Sequence, residues 1–145
     1  MDKQKSTGHY LDKTNNWLLF ICLSGALAVG LGAFGAHALE GQLSPKRAEV
    51  YSTANFYHFI HTLLLLAVYL LGTLSGWNGK LLWAGKALGL GLFLFCGSLY
   101  FVATRGLLGA ESAGWAGAIT PIGGLAFIVA WMLIAFSFDA SKSNV

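Results

Sequence analysis

Residues 54–74 read ANFYHFIHTLLLLAVYLLGTL, with no Asp, Glu, Lys, Arg or Pro among them. At about 1.5 Å per residue, a helix of this length crosses the roughly 30 Å hydrocarbon core of a bilayer. Three further runs of the same kind, 17–39, 81–104 and 115–138, take up most of the remaining chain of 145 residues. The chain has nine Lys and Arg and six Asp and Glu, and the four runs hold only one of these, Lys86. Strands of a membrane barrel would be about ten residues long and would alternate polar with apolar. Helices are then the remaining way to satisfy the backbone in lipid. The fold class is all-α membrane, a four-transmembrane-helix antiparallel bundle, because short connections make successive helices antiparallel neighbours.

Composition excludes the main alternatives. Charged residues make up 10% of the chain, against about 25% in soluble domains. Disorder requires low hydrophobicity, whereas 56% of these residues are hydrophobic. The net charge of +3 is not gathered into the dense basic patch that nucleic acid requires. The lipid bilayer is the partner that this composition implies. Cys22 and Cys96 fall at different depths and read as small apolar residues rather than a disulfide pair.

An even number of spans puts both termini on one side. Lys3, Lys5, Lys13, Lys80, Lys86 and Lys142 fall on that side, against Lys46, Arg47 and Arg105 on the other. The positive-inside rule therefore expects cytoplasmic termini. Trp17, Trp77, Trp83 and Trp115 mark span ends, as interfacial tryptophans do. Residues 1–16 and 139–145 read as polar tails. A cleavable signal ending at Ala36-His37-Ala38 is disfavoured, because the apolar stretch exceeds the usual 7 to 15 residues. Ser44-Pro45 reads as an N-cap and first helical position, which starts the second helix ahead of its apolar run.

Nineteen glycines are about 13% of the chain, nearly twice average usage. Ala28, Gly32 and Ala36 form a small-residue row, with Gly25 and Gly35 nearby; Gly85 and Gly89, then Gly91 and Gly97, mark the third span. Such rows let helix backbones approach closely in lipid. They serve either to close one bundle or to join protomers or a membrane partner.

The polar residues within the spans gather towards one end. His37 ends the first span, and His58 and His61 stand three apart near the start of the second. Ser98 and Tyr100 come from the third, and Thr120 and Pro121 from the fourth. Counted from the span ends, these groups lie within roughly 10 Å of the outer interface. Pro121 lacks an N–H and is expected to kink the fourth helix and free a carbonyl near Gly117. His37, His58 and His61 are the candidate metal ligands, since imidazole suits zinc, copper, iron and nickel. The same set could hold haem or a quinone, or simply hydrogen-bond the helices together. Ser98 and His58 lack an orienting acid, and no catalytic residue is assigned.

Four motifs stand in order along the chain: Gly32-Ala-Phe-Gly-Ala-His-Ala38, Tyr57-His58-x-x-His61, Gly97-Ser-Leu-Tyr100 and Thr120-Pro-Ile-Gly-Gly124. In these the chain resembles domain of unknown function family 423, small bacterial inner-membrane proteins related to animal transmembrane protein 256. Ala38 stands where that family often has glycine. The resemblance covers residues 17–138 and implies a retained first helix and a bacterial plasma-membrane location. It implies no established activity. Three functional expectations follow: a non-enzymatic membrane component acting through lipid or partner contacts, a histidine site for metal, haem or quinone, or an oligomeric small-solute transporter.

Overall fold

The computed structural model describes residues 3–137, with side chains from residue 16 onward. Four long helices follow one another: α1 Lys3–His37, α2 Pro45–Ser75, α3 Gly79–Thr104 and α4 Thr120–Ala135. A 3₁₀ turn, Gly114–Ala118, leads into α4. α1, α2 and α3, and α4 together with the 3₁₀ turn before it (Gly114–Ala135), are each long and apolar enough to cross a membrane, and no strand occurs among the described residues. The polar stretch read as a tail continues α1 as helix from Lys3. It contains no proline, and extending an existing helix costs far less than nucleating one. Residues 139–145 lie outside the described residues.

The helix ends follow local chemistry. Ser44 takes the extended N-cap conformation and Pro45 the first turn of α2, where a missing N–H costs nothing. Gly76, at φ 91°, ends α2 in a conformation that a side chain would strain. Two residues on, Asn78 caps α3 by accepting from the Leu81 N–H at 3.0 Å. Lys80 and Asn78 then donate to the carbonyls of Phe136 and Ser137, tying the start of α3 to the end of α4.

Pairing across each seam runs in opposite directions. Ser24, Ala28 and Leu31 of α1 meet His58, Asn55 and Tyr51 of α2 in that order. Likewise Gly91, Phe95 and Ser98 of α3 meet Phe127, Gly123 and Thr120 of α4. The bundle is therefore antiparallel, with α1 lying mainly on α2 and α4 on α3.

Glycine decides how close these pairs come. Gly25, Gly32 and Gly35, together with the buried Ala28, face α2; a methyl group at Gly35 would run into the Tyr51 ring. This seam takes up the small-residue row, apart from Ala36, which is exposed. At Gly123 a methyl group would collide with the backbone of Phe95, so α3 and α4 touch main chain to side-chain-free surface. Leu65, Val68, Leu88, Cys96 and Phe127 form the core between α2, α3 and α4.

Within α3, residues Leu92–Cys96 form a π-helical turn, with the Gly97 N–H reaching back to the Leu92 carbonyl. Such turns widen a helix and are frequent at functional sites. At the end remote from the termini, Arg47 grips both carboxylate oxygens of Glu111 at 2.8 and 2.7 Å. That bidentate pair fastens the α3–α4 connection to the start of α2.

Candidate functional site

The face of α2 that meets α1 carries Asn55, His58 and Thr62, at the i, i+3, i+7 spacing of one helical stripe. His58 and Thr62 are buried, and each reaches a side chain on another helix. His58 Nε2 lies 3.1 Å from Ser24 Oγ, which is 2.8 Å from Thr62 Oγ1. On its other side, His58 Nδ1 lies 3.4 Å from the Tyr100 hydroxyl. Asn55 Nδ2 donates to the Ala28 carbonyl at 2.7 Å and to Tyr100 at 3.1 Å. The chain Thr62–Ser24–His58–Tyr100–Asn55 thus links α1, α2 and α3 through uncharged groups.

Proton counting gives this chain two orderings. In one, Tyr100 donates to His58 Nδ1, and Nε2–H donates to Ser24. In the other, Thr62 donates to Ser24, Ser24 to Nε2, and Nδ1–H to Tyr100. The Tyr100 oxygen then accepts from both Asn55 and His58, and its own O–H has no acceptor within the chain of bonds. The second ordering leaves a phenolic donor on offer.

That donor stands at a cleft. Between α1 and α3 lies a hollow of about 390 Å³, with Ser24, His58 and Tyr100 as its polar residues. Leu27, Leu31, Leu92 and Cys96 form its walls, and Phe20, Leu23 and Phe93 stand exposed at its rim. The helices meet again nearer the termini, where Trp17 lies on Gly85. Gly89 and Gly97 supply no side chain to fill the space between. The π turn of α3 forms part of one wall through Leu92, Phe93 and Cys96.

The residues expected to converge fall into four places. His58 and Tyr100 share the cleft. His61, only about 60° further round α2 than His58, turns instead to α4 and stacks on Phe127 at 3.6 Å between centroids. Pro121 lines that second hollow with His61. Ser98 donates to the Phe95 carbonyl, so Thr120 donates to Ser98 at 2.7 Å, and the pair joins α3 to α4. His37 is exposed at the end of α1, roughly 20 Å along the helix from Ser24. Among the described residues, no three His, Cys, Asp or Glu side chains are placed to hold a metal ion. Pro121 sits in the first turn of α4 rather than inside a helix, so it removes no interior hydrogen bond there.

Ser24, Asn55 and Thr62 were not singled out by sequence. Their signal was spacing: Asn55 and Thr62 lie three before and four after His58, and Ser24 lies four before Ala28 of the small-residue row.

Residues 31–124 match the family described as "Protein of unknown function (DUF423)". The chain belongs to the DUF423 family. The match contains all four motifs and, of the polar chain, Asn55, His58, Thr62 and Tyr100, while Ser24 precedes it. This DUF423 member is 41% identical to the UPF0382 membrane protein YwdK of Bacillus subtilis over 119 residues, 81% of this chain and 91% of that protein. A UPF0382 membrane protein of Staphylococcus epidermidis is 39% identical over 121 residues, covering 83% of this chain and 93% of its own. One from Haemophilus influenzae is 35% identical over 129 residues, 89% of this chain and 98% of that protein. No solved structure matches the chain. The DUF423 protein is thus a multi-pass membrane protein whose relatives carry membrane-protein names and no stated activity.

Proposed function

We propose that the protein acts through lipid contacts, by holding a lipid-soluble carbonyl compound in the cleft between α1 and α3. The observation that carries this reading is the pairing of a laterally exposed apolar hollow with the Ser24–His58–Tyr100 floor. In hydrocarbon an unpartnered hydroxyl is costly, so a Tyr100 O–H turned to the cleft favours any ligand that brings an acceptor. Quinones and ester-linked lipids share that carbonyl chemistry and the apolar tail the walls would cover. The floor is uncharged, which supports a neutral head group over an anionic one.

Gly97 is the handle for the test. A Cβ added there meets nothing within 4 Å, and the position lines the cleft, so the larger side chain of Gly97→Leu is expected to grow into the hollow rather than into a packed seam. Protein extracted into lipid nanodiscs would be analysed by mass spectrometry for retained neutral lipids. Wild type is expected to retain a quinone or an ester lipid, and G97L to lose it while keeping its helical spectrum. Equal retention by both proteins, or none by wild type, overturns the reading.

We also infer that the membrane is the bacterial plasma membrane and that both termini face the cytoplasm. The Lys and Arg asymmetry supports this orientation. A single cysteine placed after Val145 should resist a membrane-impermeant maleimide in intact spheroplasts and react after lysis. Labelling in intact spheroplasts reverses the orientation.

A further inference from the structure

The second hollow, between α2 and α4, holds an imidazole whose tautomer is fixed by the backbone. His61 Nδ1 lies 2.9 Å from the carbonyl of Tyr57, four residues earlier on its own helix. A carbonyl only accepts, so Nδ1 carries the hydrogen, and in the neutral ring Nε2 is left as a bare acceptor. The ring is 4% exposed, and Nε2 has no hydrogen-bond partner among the described residues. Phe127 stacks on the ring at 3.6 Å and Tyr57 at 5.5 Å between centroids, both within 14° of parallel. With Nδ1 tied to the Tyr57 carbonyl, the opposite Nε2–Cδ2 edge is the part free to meet the hollow that His61 lines. That hollow measures about 610 Å³ and is walled by Tyr57, Phe95, Phe127, Trp131 and Pro121.

We propose that this hollow is a second binding site, for a neutral lipid-soluble alcohol or phenol whose O–H donates to His61 Nε2. Three features select that class. The lone acceptor needs a donor, the opposite of what Tyr100 offers in the cleft. None of the lining residues carries a charge, which disfavours an anionic macrocycle such as haem with its carboxylates. A bare metal ion would find too few ligands, because His61 is the one His, Cys, Asp or Glu lining the hollow and no group of three such residues forms among the described residues. The aromatic walls suit an unsaturated or ring-bearing tail. The site stands apart from the cleft: α2 and the α3 π turn separate the two, Phe95 facing one and Phe93 the other. It does not rest on the cleft's assignment.

The test uses full-length protein in nanodiscs with ¹⁵N-labelled histidine, titrated with farnesol and, separately, with farnesyl methyl ether. The two probes differ in the ability to donate a hydrogen bond. Farnesol is expected to move the His61 Nε2 resonance upfield and the ether to leave it in place. His61→Phe, which keeps the aromatic stack, is expected to weaken farnesol binding about tenfold, the worth of one hydrogen bond. G97L should leave the farnesol response intact. The proposal fails if Nε2 is protonated in the ligand-free protein, if alcohol and ether bind alike, or if G97L abolishes the response and so moves the alcohol to the cleft. Should H61F fail to fold, the alcohol-against-ether comparison on wild type decides alone.

Discussion

His58 Nε2 lies 3.1 Å from Ser24 Oγ, across the seam where α1 rests on α2. The contact occurs one residue from Gly25, which has no side chain to hold the two backbones apart. Removing either partner forfeits the same bond, so Ser24→Ala and His58→Ala should be non-additive. A double-mutant cycle in detergent unfolding is expected to give a coupling of about 0.6 kcal/mol, the usual worth of such bonds in membrane bundles. Additive effects would mean that the bond contributes nothing to stability.

Gly35 and Gly30 make a paired test of the α1–α2 seam. A methyl group at Gly35 collides with the Tyr51 ring, which is anchored by its bond to the Leu31 carbonyl at 2.8 Å. Gly35→Ala should therefore destabilise by about 1–3 kcal/mol, the cost of overpacking. Gly30 meets nothing within 4 Å, so Gly30→Ala should be neutral, or stabilising by at most about 1 kcal/mol through helix propensity. Thermal unfolding of the two variants under identical detergent conditions checks the order.

The α3–α4 crossing offers a sharper contrast between adjacent residues. At Gly123 the obstacle is the backbone of Phe95, which has no rotamer to move; at Gly124 it is a ring carbon of Phe95 at an ordinary 3.6 Å. Gly123→Ala is expected to cost at least the upper end of the ~1–3 kcal/mol range and to loosen the bundle. Gly124→Ala should change stability by less than about 1 kcal/mol. Protease sensitivity of the α3–α4 connection gives a second readout.

Glu111 predicts the pH response of the end remote from the termini. The hydrogen bonds from Arg47 hold its carboxyl below the usual carboxylate range, with Arg105 Nε a further cation at 3.9 Å. A depressed folded-state pKa means the contribution is complete above the unfolded value of about 4.3 and is lost as pH falls through the folded one. Unfolding temperature should therefore hold between pH 7 and 5 and drop below about pH 4. Glu111→Gln should flatten that acid limb; an unchanged limb would assign it to other groups.

Much of the architecture was legible because lipid leaves few choices. Runs such as 54–74 admit only helices, and Ser44-Pro45 marked the true start of α2 well before its apolar run. The polar groups were found, but not their partners. His58 and His61 stand three apart, and a rotation of about 60° sends one to α1 and the other to Phe127. Pattern reading treats that rotation as one face, whereas packing resolves it into two cavities. The Pro121 kink failed for a related reason: the fourth apolar run is continuous in sequence but breaks at Ile119, so proline falls in a first turn. The π turn at Leu92–Cys96 has no sequence signature in a run of leucines and phenylalanines. Its place in the α3–α4 contact shows in the close approach of Gly123 to the backbone of Phe95 and in the Phe95 ring meeting Phe127 at 5.6 Å between centroids.

The carbonyl stretch of a bound ligand tests the cleft most directly. A short-tailed quinone and a diacylglycerol, each ¹³C-labelled at a carbonyl, would be added in turn and followed by difference infrared spectroscopy. At least one label is expected to shift to lower frequency on wild type, Tyr100→Phe to remove the shift, and Gly97→Leu to remove binding. Carbonyl bands that stay at their free positions with both probes, or a shift that persists in Tyr100→Phe, would contradict the cleft's assignment.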